Sequence, residues 1–535
     1  MKGHPHILFL LLLLSYVGSW AADASYKYRV WLTDKGNNEY SIEHPEEFLS
    51  TQCIERRTQQ GIAIDSLDLP VSKHYIEQIA ATGCNIEITS RWMNTIVVSL
   101  NDTTIINDIV ALPFVAHTQC VWKNNSATKG QKRNKQAKQK AISTSISTTD
   151  NSALYNHTWQ QTQLLNLDSL HLLGYRGQGM RIAVLDAGFY GAESSSYISP
   201  DKIVGRHNFT PGSNFNDTHG TEVLSCMAAY VEGEYIGSAP DATYWLITTE
   251  DLESEYPIEE DYWAAGAEMA DSVGAHIINS SLAYNTFDDP TMNYTHNDLD
   301  GETGFCSRAA TIAAHKGILV VIAAGNEYSR AWQKIGVPAD AKDCLTVGSV
   351  DASGTHSHFS SCGYTADNRI KPDIMSMGSN ASCITANDKI KVGSGTSYAS
   401  PIVCGALACL WQAHPEWSVA ELIERVQRSS SQYNHPNAIY GYGIPNLYAV
   451  HLGASHIESV TTNEASIYVH DGILHLPSQP IQAVITLYDP TGREIWHTPI
   501  EAHTSSVALP HIQHGCYIAT LQLHDTWVTH KLYIH

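Results

Sequence analysis

The sequence predicts an α/β fold: a parallel sheet with helices on both faces, preceded by a small α+β unit and followed by a β-sandwich. Three observations carry this. Gly317 to Ala324 is an unbroken apolar run of strand length, as expected of a strand buried on both faces, and Met180 to Leu185, apolar but for Arg181, also reads as a buried strand. Small-residue, helix-patterned segments follow at Glu222 to Tyr230 and Ile402 to Leu410. Polar residues with chemical potential cluster where strands end and helices begin, the usual place for a site in an open α/β sheet.

Taken in chain order, Lys2, the apolar run Ile7 to Val17 and the small residues Ser19-Trp20-Ala21-Ala22 form the three parts of a secretory signal at residues 1–22, cut after Ala21 or Ala22. The apolar stretch is too short for a permanent span, leaving an N-terminal anchor as the alternative. Residues 23–122 alternate strand-like Lys27 to Leu32 and Thr95 to Leu100 with helical Pro45 to Gln60 and Ser72 to Thr82, the pattern of a small α+β domain. Residues 123–151 are a linker. It holds seven basic residues between Lys123 and Lys140 with no acid, then a Ser/Thr-rich stretch, and so reads as exposed and open to processing.

Residues 152–455 hold the residues with chemistry. The strand Met180 to Leu185 delivers Asp186, His219-Gly220-Thr221 opens a helix, and Gly317 to Ala324 leads into Gly325-Asn326-Glu327. Gly395-Thr396-Ser397 places a serine at the start of an apolar helix. Each has an ordinary explanation alone: a cap, one of 27 histidines, a turn residue. Together they supply a nucleophile, a base, an acid that orients the base and an oxyanion donor.

The order Asp186, His219, Ser397 resembles that of the subtilisin-like serine peptidases, as do Ile278-Asn279-Ser280-Ser281-Leu282, His358-Phe359-Ser360-Ser361-Cys362-Gly363 and Lys371-Pro372-Asp373-Ile374. The resemblance covers about residues 150 to 450. It implies a subtilisin-like sheet and a serine endopeptidase that hydrolyses peptide bonds through an acyl-enzyme, with no cofactor in the chemistry. Ser397 would attack, His219 take its proton, Asp186 fix the histidine, and Asn326 with the Ser397 N–H hold the oxyanion. Ser281, Leu282, Ala283 and Gly325 would bind substrate, Ala283 narrowing a wall where the family commonly has glycine, with bulky Tyr284 beside it. By position, residues 23–122 resemble the inhibitory propeptides of secreted subtilases, the alternative being an unrelated binding module. A catalytically silent scaffold is the competing reading of the whole.

Residues 456–535 change character. Ser466 to Val469, Ile473 to Leu476, Ala483 to Tyr488, Glu494 to His497, Ser506 to Leu509, Cys516 to Leu523 and Trp527 to Ile534 are short strand-like runs parted by turns such as Asp489-Pro490-Thr491-Gly492, a β-sandwich pattern. Leu487-Tyr488-Asp489, Gly515-Cys516-Tyr517 and Lys531-Leu532-Tyr533-Ile534 resemble the C-terminal sorting domains of type IX secretion. That resemblance implies secretion machinery as a partner and a secreted or outer-surface location; a substrate-binding module is the alternative.

A formal charge of −22 argues against nucleic acid as partner; the resemblance to subtilases implies protein or peptide substrates, and the mature chain is expected to be a monomer without a transmembrane span. The 11 cysteines are an odd number, so one at least is unpaired, and Cys404 and Cys409 read as small buried hydrophobes. Asp298, Asp300 and Glu302 gather hard oxygens around Gly301, a candidate structural calcium site, although acidic surface loops are commonly just solvated.

Overall fold

The computed structural model describes residues 25–36, 38–124, 151–210, 217–453, 468–470, 473–476, 482–489, 492–512, 515–523 and 526–534. The signal at 1–22, nearly all of the basic linker and the start of the C-terminal region lie outside the described residues.

The N-terminal unit is a four-stranded antiparallel sheet. Its order is Asn85–Ser90, Thr95–Leu100, Tyr26–Leu32, Val115–Lys123. Both expected strands are present, and two were not foreseen: Asn85–Ser90 and Val115–Lys123 are largely polar and lie on the sheet's edges, where one face stays wet. The first helix starts at Thr51 rather than Pro45, because the Ser50 side chain accepts the Cys53 N–H and caps it there; Pro45–Glu47 forms a separate 3₁₀ turn. Val30, Ile79, Ile96, Val98, Ile109 and Phe114 make the core.

The central unit holds seven parallel strands in the order Ile374–Met377, Leu345–Val350, Leu319–Ala323, Ile277–Ser280, Arg181–Asp186, Thr243–Thr248, Ile203–Asn208. Period-two alternation divides each strand between two cores. Ile182 and Val184 pack with the helices His219–Ala228 and Thr396–Ala413, while Ala183 and Leu185 face Ile258–Ser272 and Phe305–His315. This is the doubly covered parallel sheet that the apolar runs imply. The strand order reverses between Arg181–Asp186 and Ile277–Ser280, and the carboxyl ends of strands flanking such a switch are where open α/β sheets bind ligands.

The N-terminal unit docks on the helix Ile258–Ser272 through buried charge. Arg29 reaches both oxygens of Asp261 at 2.7 and 2.6 Å, and Arg56, Arg57 and Arg91 converge on Asp271 at 2.5, 2.6 and 2.8 Å. Glu268 accepts from the Ser90 hydroxyl at 2.5 Å and from the Arg91 and Trp92 N–H groups.

At the C-terminus, strands Tyr468–His470, Ile473–His475 and Ser506–Ala508 form one small antiparallel sheet. Glu494–Ile500, Ala483–Tyr488, Gly515–Leu523 and Thr526–Ile534 form a second. Leu474, Leu476, Ile485, Leu487, Ala519 and Leu521 share one core across both. Ten described cysteines are unpaired, and Cys404 and Cys409 are fully buried in the central core. Among the described residues no helix is long and apolar enough to cross a membrane.

Candidate active site

Asp186 is the last residue of its strand and is fully buried. Its Oδ1 accepts from the Ala187 N–H at 2.8 Å and from His219 Nδ1 at 2.7 Å. A carboxylate acceptor there places the proton on Nδ1 and leaves Nε2 with a free lone pair. His219 opens the helix His219–Ala228, and its backbone N–H is fixed by Asp217 Oδ1 at 2.8 Å. The helix can come this close to the strand end because residue 220 is glycine: a Cβ there would stand 2.6 Å from the Gly188 carbonyl oxygen.

Asn326 lies three residues past the strand Leu319–Ala323, after Gly325 at φ +100°, a conformation that favours glycine. Its Oδ1 accepts from the Thr396 N–H at 2.9 Å and the Thr396 hydroxyl at 3.2 Å. Those two donors fix which end of the amide is oxygen, so Nδ2 is the end left to donate beside the Gly395 turn.

Ser397 is the second residue of the helix Thr396–Ala413, where backbone N–H groups lack intrahelical partners and the dipole favours negative charge. Its Oγ donates to the Ser281 carbonyl at a long 3.5 Å, while the Ser281 hydroxyl donates to the Ser397 carbonyl at 3.1 Å. Ser281 therefore stitches the strand end Ile277–Ser280 to the Ser397 turn. Ser400 completes the stitch by donating to Asn279 Oδ1 at 2.8 Å. The fold thus brings Asp186, His219, Asn326, Ser397 and Ser281 into one place from five separate stretches of chain.

The sequence model of the Subtilase family matches residues 116–443. This chain belongs to that family. A second match, to the peptidase S8 propeptide domain of Bacteroidota, covers residues 27–141 and runs on across the basic linker. Similar proteins include subtilisin E of Bacillus subtilis, 29% identical over 52% of this chain and 68% of its own, and a Bacillus pumilus subtilisin, also 29% identical, over 94% of its length. The epidermin leader peptide processing serine protease of Staphylococcus aureus shares the fold, with TM-score 0.54 at 18% identity, over 81% of this chain and 99% of that one. The chain is accordingly a subtilisin-family serine protease, a hydrolase of peptide bonds, with a propeptide domain consistent with self-processing from a precursor.

In this subtilase burial pulls the His219 pKa down, but the charge and hydrogen bond of Asp186, with Asp217 and Glu222 nearby, outweigh it and push it up to about 9. The His219 side chain is 28% exposed, whereas that of Asp186 is fully buried.

The remaining expected residues fall as follows. Leu282 is buried and Ala283 exposed, its methyl 3.1 Å from where a Cβ on Gly336 would stand and 3.9 Å from one on Gly325. Tyr284 is not on that wall: it is 1% exposed, its hydroxyl donates to Glu250, and its backbone pairs with Val337. Asp298 caps Thr295, Asp300 accepts from Glu302 and Thr303, and Glu302 pairs with Lys342. Their oxygens serve separate protein donors and do not form a donor set suited to calcium, and no cluster of three or more metal-ligating side chains occurs among the described residues. Thr396, which orients Asn326 through two bonds, was not singled out from the sequence. Its place beside Ser397 was the available signal.

Proposed function

We propose that Ser397, His219, Asp186 and Asn326 carry out peptide-bond hydrolysis in an exported, self-maturing endopeptidase. The observation that carries this reading is the 2.7 Å bond from His219 Nδ1 to the buried Asp186. It holds the ring in the tautomer whose Nε2 accepts a proton. A turn about the Ser397 Cα–Cβ bond takes Oγ from the Ser281 carbonyl toward that nitrogen; long catalytic bonds are common before substrate arrives. Oγ then attacks the scissile carbonyl as its proton passes to Nε2, and Asp186 stabilises the imidazolium. Asn326 Nδ2 and the Ser397 N–H receive the oxyanion. Collapse breaks the C–N bond as Nε2 protonates the leaving amine, and water, deprotonated by the same nitrogen, hydrolyses the acyl-enzyme.

Ala283 and Gly325 supply opposite walls for the side chain preceding the scissile bond, and the Ala283 methyl favours a slim one. The N-terminal unit serves as the inhibitory propeptide, and the C-terminal sheets serve as a type IX sorting domain acting after a signal peptide directs export. Its support is the strand pattern and terminal motif. Intact-mass and terminal analysis of secreted protein tests export and processing together. A new N-terminus near the basic linker, lost with Ser397→Ala, is expected; an unprocessed secreted chain opposes it. Deleting residues 456–535 separates the C-terminal readings: periplasmic retention with activity intact supports sorting, whereas normal export with weaker substrate capture supports a binding module.

A further inference from the structure

Glu222 lies one turn beyond His219 on the same helix and is only 4% exposed. Both its oxygens accept from Lys391 Nζ at 2.9 Å, and Oε2 also accepts from the Tyr398 hydroxyl at 2.7 Å. Tyr398 directly follows Ser397, and Lys391 belongs to the hairpin strand Ile390–Gly393 that pairs with Ala381–Ile384. The Tyr398 ring lies flat against that hairpin because residue 393 is glycine: a Cβ there would stand 2.6 Å from two ring carbons. One carboxylate thus links the helix of His219 to the hairpin and to the helix of Ser397, which follow one another along the chain through Ser394 and Gly395. A buried carboxylate is costly without a cation and full hydrogen bonding. Lys391 and Tyr398 together supply both, so the cluster holds a single arrangement.

We propose that Glu222 is a positioning residue: through Tyr398 it ties the Ser397 turn to the helix bearing His219, and its charge favours the imidazolium that forms as Ser397 attacks. The proposal rests on the reading of Ser397 and His219 as nucleophile and base. The charged and titratable groups facing His219 are Asp186, Asp217 and Glu222; those facing Glu222 are Lys391, Tyr398 and the thiols of Cys226 and Cys383. Glu222 is one of the three carboxylates that raise the His219 pKa. Asp186 orients the ring from the front, while Glu222 acts from one turn behind.

The test compares Tyr398→Phe, Glu222→Gln and the double variant with wild type, using a peptide substrate and the rate of fluorophosphonate labelling per folded molecule. Tyr398→Phe keeps the ring in its slot and the Glu222–Lys391 pair intact, so it remains informative if Glu222→Gln fails to fold. Losing a hydrogen bond to a charged group predicts a fall in kcat of roughly tenfold with KM within about twofold. In Glu222→Gln the acid limb of kcat/KM moves to lower pH, because a negative charge near the imidazolium is gone. Adding Tyr398→Phe to Glu222→Gln costs little more, since the two act as one unit. A merely structural role would lower the melting temperature and leave kcat per labelled site and the pH limb in place. Wild-type kcat in Tyr398→Phe, an unmoved limb in Glu222→Gln, or full additivity would each overturn the proposal. If the wild type is itself not labelled, the catalytic reading fails; if it is labelled and both variants match it, only the role of Glu222 fails.

Discussion

Arg29→Met isolates one buried ion pair between the propeptide and the catalytic unit. Arg29 engages Asp261 with two hydrogen bonds, and its guanidinium carbon lies 3.6 Å from the centre of the Phe305 ring. Water hardly reaches the pair, whose side chains are 4% and 2% exposed. Methionine preserves most of the buried stem, so the loss is that of charge pairing. Removing one partner of a buried ion pair leaves the other uncompensated, at a cost of about 3–5 kcal/mol. At about 1.4 kcal/mol per decade, propeptide binding should weaken between roughly a hundredfold and several thousandfold. Diluting the processed but still associated complex and finding the concentration at which half the activity appears measures this directly. The double variant Arg29→Met/Asp261→Met should recover most of the loss, because exchanging a whole buried pair for apolar side chains is often close to neutral. A shift under about fivefold in Arg29→Met would mean that the pair behaves like an exposed surface bridge, and the buried-clamp reasoning would be wrong.

Three further expectations concern the site. Asn326→Ala should lower kcat by about 10²–10³ with little change in KM, the range known for one oxyanion donor in the relative subtilisin, and an unchanged kcat would remove Asn326 from the oxyanion site. Because His219 is raised to about 9 and must be neutral to accept a proton, kcat/KM should climb with pH on an alkaline-shifted limb; a limb at or below about 6.5 contradicts the electrostatics. The linked stability runs the other way. The charged His219–Asp186 pair contributes fully below the unfolded histidine pKa and is lost as pH rises through the folded one. Ala283→Gly should raise kcat/KM for peptides with a bulky residue before the scissile bond, by roughly tenfold for the methyl-sized space gained, and an unchanged side-chain preference would place that pocket elsewhere.

Asp186, His219, Asn326 and Ser397 could be proposed from the sequence because each chemical task admits few residue types, and the structure places Asp186 at a strand end and His219 and Ser397 at helix starts. Parallel strands were equally plain, since burial on both faces leaves unbroken apolar runs. Contacts between distant stretches left no such trace. Glu222 meets Lys391 and Tyr398 across sequence separations of 169 and 176, and Arg29 meets Asp261 across 232. A glutamate in a helix start or an arginine in a strand looks like an ordinary surface charge until the partner is in view. Tyr284 shows the complementary limit: the sequence gives its bulk, but the direction of its side chain depends on Glu250 and Val337, which reach it from elsewhere in the chain. Asp298, Asp300 and Glu302 looked like a ligand cluster because composition shows the oxygens without showing the Thr295, Thr303 and Lys342 donors that occupy them.

The central claim is that His219, held by Asp186, makes Ser397 a nucleophile. Labelling the processed protein with a fluorophosphonate and mapping the modified residue tests it most directly. The account predicts a single adduct on Ser397, absent from Ser397→Ala and strongly slowed in His219→Ala. An unlabelled Ser397, or an adduct elsewhere that survives Ser397→Ala, would contradict it.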